Sequence, residues 1–231
     1  MKSITLAFVV LSLFMSCSQT PTTTDSVTED TNTMQEEQLL LDSIGFETKA
    51  LLAIRAVSDS IIFRHNVAFD TDGKSKLDAL SLNDKGFYFK ADQKKSRNIV
   101  LQLREPMRST GYLIYISEMN YGYSPDKIAV IKSTDQFDIL KYEMTNGLNY
   151  DIKTEAIVQK LTEWSTQINF KIIGAGFDFV DAVFLNEPED MSSFVKDIAL
   201  FCPDVITQGT GTVERLEVEY RRSNGFYLWW D

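Results

Sequence analysis

The segment 86–173 changes repeatedly between the two-residue period of β-strands and the 3.6-residue period of α-helices. Its predicted elements follow the order β-α-β-β-α-β, which is the split βαβ order of ferredoxin-like units. We therefore predict an α+β fold, a mixed β-sheet with packed helices that begins as a ferredoxin-like βαββαβ unit. The predicted strands are 87–89, 112–116, 127–132 and 170–173, the first helix is 99–107, and two successive helices, 136–144 and 157–168, occupy the second helical position.

The remainder of the chain predicts a strand at 180–185, helices at 190–201 and 212–222, and a last strand after Gly225. Pro203 ends the first of these helices, because the residue before a proline is pushed out of the α region. Alternation divides the last strand into two apolar faces. Large apolar groups on both faces predict a strand inside the sheet, with its second face near the 204–211 turn. The faces are Phe226, Leu228 and Trp230 on one side, and Tyr227 and Trp229 on the other.

The N-terminus has the pattern of a secretory signal peptide. Lys2 precedes a nearly unbroken apolar run at 4–15, which is too short to cross a bilayer core of about 30 Å as a helix. Phe14-Met15-Ser16-Cys17 then resembles a bacterial lipobox. We predict a signal peptide at 1–16, lipidation of Cys17 and attachment to the membrane of the bacterial cell envelope, facing the periplasm or exterior. The alternative is an ordinary signal peptide with Cys17 left as a free thiol.

Behind the signal peptide, residues 17–38 are rich in Ser, Thr, Asp and Glu. Such a composition buries too little apolar surface to offset chain entropy, so we predict a mobile acidic tether. The predicted domain order continues with 39–110 as the N-terminal part of the globular body and 111–231 as its C-terminal region.

Composition excludes several functions. The net charge is −10 and no basic stripe is present, which argues against nucleic acid as a partner. His65 is the only histidine, so zinc sites built on several histidines are excluded. We expect His65 at the surface or in a turn, and we expect no metal or cofactor. If Cys17 is lipidated, Cys202 has no disulfide partner, and we expect it to be buried and inert.

Five segments of the C-terminal region carry a family resemblance. The most specific are Phe201-Cys202-Pro203-Asp204, continued by the glycine-containing run to Glu214, and the terminal Leu228-Trp229-Trp230-Asp231. The region from about residue 112 to the end resembles the bacterial domain of unknown function 4253, a family without an assigned activity. The other matching segments are 111–117, 145–151 and 174–178.

The candidate binding residues lie in and around these segments. The run 208–212 precedes a helix, and exposed backbone N–H groups there are able to hold an anion. A Thr212 N-cap with Glu214 in the first turn explains the same residues structurally. The pair Gly174 and Gly176 indicates a bulge or tight bend. The candidates are Asp178, Asp204, Gln208, Gly209, Gly211 and Trp229.

The leading functional hypothesis is a non-enzymatic binding or interaction module whose ligand is a protein, a peptide or a small molecule. The alternative is a carboxylate-based hydrolase that uses Asp178, Asp204 and neighbours such as Asp231, since paired carboxylates hydrolyse glycosides or bind hard cations. Convergence of these three carboxylates on one concave pocket favours the enzyme. Their separation into caps and turns favours the binding module.

Overall fold

A computed structural model describes residues 24–66 and 86–231. The predicted signal peptide, Cys17 and the first residues of the predicted tether lie outside the described residues. Seven α-helices and seven strands are present in the described part, together with a 3₁₀ turn at Leu148–Tyr150 and a π-helix at Val205–Thr210. The helices are α1 Thr24–Ile44, α2 Thr48–Arg55, α3 Gln93–Ser109, α4 Asp138–Glu143, α5 Thr154–Ser165, α6 Met191–Phe201 and α7 Val213–Ser223. The strands are β1 Ile62–His65, β2 Gly86–Ala91, β3 Leu113–Glu118, β4 Asp126–Ile131, β5 Phe170–Ala175, β6 Phe179–Phe184 and β7 Gly225–Trp229.

The seven strands form one mixed sheet in the order β1-β2-β4-β3-β5-β6-β7. Five of the six neighbouring pairs are antiparallel, and only β3 and β5 are parallel. This confirms the α+β prediction. The first three strands of the βαββαβ segment also form the predicted split βαβ arrangement, with β4 between β2 and β3.

The fourth strand of that segment differs from the ferredoxin-like arrangement, in which the last strand pairs with the first. Here β5 pairs with β3, because the free edge of β2 is already occupied by β1 in the register Ile62 opposite Phe89. The N-terminal part of the chain thus closes one edge of the sheet and shifts β5 to the other side.

Each face of the sheet has its own apolar core, as alternation requires. On one face, Phe87, Phe89 and Ile128 pack with residues of α1, α2 and α3. On the other face, Tyr115 and Ala129 belong to the core formed with α4, α5, α6 and α7. Helices on both faces explain why the central strands are buried on both sides.

The predicted tether at 17–38 is helical from Thr24 onwards, because α1 spans Thr24–Ile44. Its last turns belong to the folded body. The Glu37 side chain is 4% exposed, accepts a hydrogen bond from the backbone N–H of Ile62 at 2.9 Å and pairs with Arg55. Glu37 of the predicted tether is therefore part of the folded structure, where it contacts β1. None of the helices in the described part is long and apolar enough to cross a membrane.

The prediction that the last strand lies inside the sheet is wrong. Among the described strands, β7 is at the edge of the sheet and pairs only with β6, with Leu228 opposite Val180. The chain leaves α7 at Asn224 in the left-handed conformation, and a Cβ on Gly225 would lie 2.2 Å from the carbonyl oxygen of Ala182. This close approach places β7 on the free edge of β6. Its second apolar face, formed by Tyr227 and Trp229, is half-buried, and Trp229 lies against Gly209 as the sequence predicted.

Candidate functional site

A cavity of about 980 Å³ opens where one end of the sheet meets the β5–β6 connection and the C-terminal residues. It is lined from β1, β2, β3, β4 and β7, and by Glu143 at the end of α4. Such a volume lies at the upper end of the usual range for small-molecule sites, about 300–1,000 Å³. The strands β1, β2 and β3 that contribute to it precede the region of family resemblance or lie at its start.

Aromatic side chains form much of the cavity wall. Tyr227 stacks on Phe179 with ring centroids 5.8 Å apart and lies 5.5 Å from Trp229. The hydroxyl groups of Tyr227 and Tyr121 are 3.1 Å apart, which joins β7 to the loop after β3. The wall also contains Tyr88 and Phe177.

Three hydrogen bonds fix the β5–β6 connection at the cavity edge. The Thr145 hydroxyl donates to the carbonyl of Gly176 at 2.7 Å, and the Asn146 N–H donates to the carbonyl of Phe177 at 2.8 Å. The Trp230 N–H donates to the next carbonyl, that of Asp178, at 2.9 Å. Successive carbonyls of one bend are thus bound from two separate segments, so the bend is rigidly placed. The predicted irregularity at the two glycines is confirmed, since the β5–β6 register shifts between Ile172 and Gly174.

Most charged side chains of the cavity are paired. Lys127 Nζ lies 2.5 Å from Glu118 Oε2, and Glu143 binds His65. Asp178 and Asp231 have no cationic partner among residues 24–66 and 86–231. Partial burial of the Asp178 carboxyl, together with the charge of Asp231, raises its pKa. Both carboxylates line the cavity beside the aromatic wall, and the charge of Asp231 acts on Asp178.

The sequence interpretation of His65 as a surface or turn residue is wrong. His65 is the last residue of β1 and is 7% exposed. Its Nε2 lies 2.7 Å from Glu143 Oε1, and the Tyr115 hydroxyl donates to the same oxygen at 2.5 Å. Burial and the Glu143 charge raise the Tyr115 pKa well above its usual value. The imidazole, carboxylate and phenol groups of these residues thus form a buried hydrogen-bonded cluster at the cavity. Glu143 is the acidic partner of His65 in this cluster.

The structure places Asp204 behind the cavity. It is 2% exposed, and its carboxylate accepts hydrogen bonds from the Tyr150 hydroxyl at 2.5 Å and from the backbone N–H of Asp231 at 3.0 Å. Burial acts to raise its pKa, but these bonds and others from Gln208 and Thr207 stabilise the anion, so the pKa is lowered. Asp204 is a structural acceptor, and Gln208 contacts it.

The predicted polar turn at 204–211 is a π-helix followed by Gly211 at φ +80°. Thr212 caps α7, since its hydroxyl accepts a hydrogen bond from the N–H of Arg215 at 3.2 Å. The structural explanation of this run is therefore confirmed. The π-helix supports the cavity from outside, because a Cβ on Gly209 would lie only 2.7 Å from Cη2 of Trp229.

Of the six candidates, only Asp178 and Trp229 line the cavity. Asp204, Gln208, Gly209 and Gly211 belong to the end of α6 and the π-helix behind it. The sequence reasoning missed Tyr227, Phe179 and the His65–Glu143 pair. The sequence signal that could have located β1 was the spacing of Phe63 and His65, which are two positions apart, as expected for one face of a strand.

Cys202 is buried, as predicted. Its thiol is fully buried and donates to the carbonyl of Trp229 at 3.0 Å, and burial raises its pKa to about 12. A thiol with this pKa is protonated at neutral pH and is a poor nucleophile. Within 24–66 and 86–231, no group of three or more His, Cys, Asp or Glu residues is placed to hold a metal ion.

The cavity lies against a region with a recognised family. Residues 127–231 match the family described as Domain of unknown function (DUF4253). This part of the chain is therefore similar to that family, whose description assigns it no activity. The match begins in β4, later than the resemblance at 111–117. No curated protein and no solved structure matches the chain.

Proposed function

We propose that the protein is a non-enzymatic binding module whose cavity takes a ligand with a cationic group. The observation that carries this proposal is the position of Asp178 and Asp231. Both line an aromatic cavity, and neither is neutralised by a cation in the described part of the chain. A bound ammonium or guanidinium group would relieve their mutual repulsion.

The aromatic wall favours the same class of ligand. A cation near the face of Trp or Tyr gains about 0.5–2 kcal/mol, more when it is desolvated. Trp229 and Tyr227 lie in the same wall as the two carboxylates. Cationic groups of this kind occur on the Lys and Arg side chains of proteins and peptides, and on free amines. The proposed ligand is therefore a protein, a peptide or a free amine.

The hydrolase alternative receives less support, because it named Asp204 together with Asp178. The Asp204 carboxylate is buried and occupied by three donors or more, and it does not face the cavity. Without Asp204, only Asp178 and Asp231 of the three proposed carboxylates remain at the cavity. Burial and the charge of Asp231 explain the raised pKa of Asp178 without any catalytic role.

The proposed place of action is the bacterial cell envelope. The support is the sequence of residues 2–17, with a basic start, an apolar run and a lipobox ending at Cys17. Two or more acyl chains on one cysteine anchor stably, whereas a single chain is marginal. In this proposal the folded body faces the periplasm or exterior, where amines and basic peptides have access to the cavity.

Titration of the protein with tetramethylammonium and with agmatine tests the binding proposal. Tert-butanol, a neutral analogue of similar shape, is the matched ligand control. We expect the cations to change tryptophan fluorescence and to bind at least about tenfold more tightly than the alcohol, a difference of about 1.4 kcal/mol.

Two variants assign the effect to the site. Asp178→Asn should weaken the binding of both cations by about tenfold, whereas Asp59→Asn, which changes an exposed carboxylate outside the cavity, should leave it unchanged. Equal binding of the alcohol and the cations, or equal behaviour of the two variants, would contradict the proposal.

A further inference from the structure

A second, smaller cavity of about 270 Å³ lies between the C-terminal turns of α3 and the start of β5. Arg104 and Arg108 are one helical turn apart, so they lie on the same face of α3. Lys171 is the second residue of β5, and all three cationic side chains line the cavity. The cavity is separate from the site proposed above, since the two have no lining residue in common.

The three cations have too little negative charge around them. In the described part of the chain their only carboxylate partner is Glu105, with Oε1 3.3 Å from Arg104 and Oε2 3.9 Å from Arg108. The Glu105 side chain is 61% exposed, so it is a weak counter-charge. Lys171 forms no salt bridge with any residue in 24–66 or 86–231.

Asp135 also lines the cavity, but its carboxylate is used elsewhere. Oδ1 accepts a hydrogen bond from the backbone N–H of Phe137 at 3.0 Å, and its charge acts on Lys141, whose pKa it helps to raise. The other residues that line the cavity are neutral, and among them only Thr134 and Gln136 have polar side chains. Gln136 uses its Oε1 to accept from the N–H of Ile172 at 3.0 Å, and its Nε2 donor has no partner in the described residues.

Electrostatic strain in the cluster is visible in the lysine and in one arginine. Burial, together with the charges of Arg108 and Arg104, lowers the pKa of Lys171. Burial likewise lowers the pKa of Arg104, whose side chain is only 14% exposed. Two of the three cations, Lys171 and Arg104, are thus partly desolvated, whereas Arg108 is 47% exposed. An anion in the cavity would supply the missing counter-charge.

We propose that this cavity binds a small oxyanion, namely a phosphate group, between Arg104, Arg108 and Lys171. Planar guanidinium groups bind phosphate oxygens in a bidentate manner, and a lysine adds a point charge. A phosphate group carries about −1.5 to −2 charges at neutral pH, so the net positive charge of the cluster attracts it. The volume lies below the usual range for larger ligands, so a phosphate group fits better than an extended molecule.

Thermal unfolding with added inorganic phosphate tests this proposal, with the ionic strength held constant by sodium chloride. We expect phosphate to raise the Tm of the parent above the value in chloride alone. Lys171→Gln should lose at least about tenfold in phosphate affinity, measured by calorimetric titration. The matched control is Lys95→Gln, which changes an exposed cation on α3, outside the cavity, and should bind as the parent does.

The variant also has a signature that simple destabilisation cannot give. Without phosphate, Lys171→Gln should be at least as stable as the parent, because it removes like-charge repulsion. With phosphate the order should reverse. Arg108→Gln, at a more exposed position, serves as the second variant and should show the same crossing.

Glycerol phosphate distinguishes the source of the phosphate group. Tighter binding of glycerol phosphate than of inorganic phosphate would identify a phosphate ester as the ligand, and the opposite order would identify the free anion. The proposal is overturned if phosphate and chloride shift the Tm equally, or if Lys171→Gln and Arg108→Gln both bind phosphate as Lys95→Gln does.

Discussion

The carboxylate of Asp204 accepts a hydrogen bond from the backbone N–H of Asp231, with 3.0 Å between Oδ2 and N. This bond joins the segment that follows α6 to Asp231, two residues beyond the end of β7. The other oxygen, Oδ1, accepts from the Tyr150 hydroxyl, so a third segment is attached to the same side chain. One buried carboxylate therefore fixes the position at which Asp231 reaches the cavity.

Replacing Asp204 with Ala should lower the free energy of unfolding by about 1–3 kcal/mol, because it removes a buried, charged acceptor of several hydrogen bonds. Urea denaturation at pH 7 measures this change. The lowered pKa of Asp204 means that its contribution is present above pH about 4 and is lost as the pH falls through the folded-state pKa. Asp59→Ala, at an exposed position, should stay within about 0.5 kcal/mol of the parent. A similar effect for both variants would mean that Asp204 is not a structural acceptor.

Asp181 should make the protein less stable as the pH rises from about 4 to about 6. It is 7% exposed, and burial raises its pKa to about 6 even though Arg97 pairs with it at 2.6 Å. The pKa of an aspartate in the unfolded chain is about 3.9. The stabilising contribution of protonated Asp181 is therefore fully present below that pH and is lost as the pH rises through the folded-state pKa.

The comparison of the parent with Asp181→Asn isolates this effect from other carboxylates. Between pH 4 and pH 7 the stability of the parent relative to the variant should fall by about 1–3 kcal/mol, as measured by urea denaturation. A difference that does not vary over this pH range would show that Asp181 is ionised throughout.

Gly209→Ala should displace the Trp229 indole, since the new Cβ would lie 2.7 Å from Cη2 of a rigid ring. We expect a loss of about 1–3 kcal/mol from overpacking and a changed tryptophan emission spectrum. Gly211→Ala is the matched control. Nothing lies within 4 Å of its Cβ position, but its φ of +80° is strained for alanine and costs about 1–2 kcal/mol. Both variants should lose stability, but only the first should change the spectrum and weaken cation binding.

Deleting Leu228–Asp231 should abolish cooperative unfolding. Leu228 and Trp230 are 0% and 4% exposed, and Trp229 is half-buried. Each truncation of a large buried side chain costs about 3–5 kcal/mol, against a total stability of about 5–15 kcal/mol. Calorimetry or far-UV circular dichroism on heating checks this expectation. A transition at the temperature of the parent would show that the last strand is dispensable.

Cys17→Ala should prevent fatty-acid labelling and release the protein from the membrane fraction of a bacterial host. The reason is that a lipidated cysteine would be the only anchor predicted from the sequence. Fractionation of cells that express the parent or the variant measures the change. The substitution of Ser18, which follows the cysteine, by Ala is the matched control and should keep the label. Unchanged membrane association of Cys17→Ala would contradict the lipoprotein prediction.

Local patterns in the sequence predicted the elements well. The helix with Ile157 and Leu161 inward, the Thr212 cap and the buried thiol of Cys202 all follow from spacing and residue type alone. The Glu217–Arg221 pair on the outside of α7 was also predictable and is present at 2.8 Å. These features depend on neighbours within a few positions along the chain.

The site depended on contacts over long distances. His65 meets Glu143 across 78 positions, and Asp178 meets the C-terminal residues only because β6 and β7 pair. No local pattern specifies which edge of the sheet is free, so the partner of β5 and the edge position of β7 were not predictable. The π-helix was missed because its composition is that of a turn.

The single parallel pair of the sheet has a consequence for where this domain begins. β4 opens the matched segment 127–231, but its two neighbours, β2 and β3, both precede that segment, and β3 alone connects β4 to β5. In a polypeptide starting at residue 127, β4 would have no neighbouring strand. The gap left by the missing β3 would separate it from β5, β6 and β7. The matched segment therefore cannot form its part of the sheet without strands that precede it. A mutation that disrupts β3, outside the matched segment, would separate β4 from β5, β6 and β7.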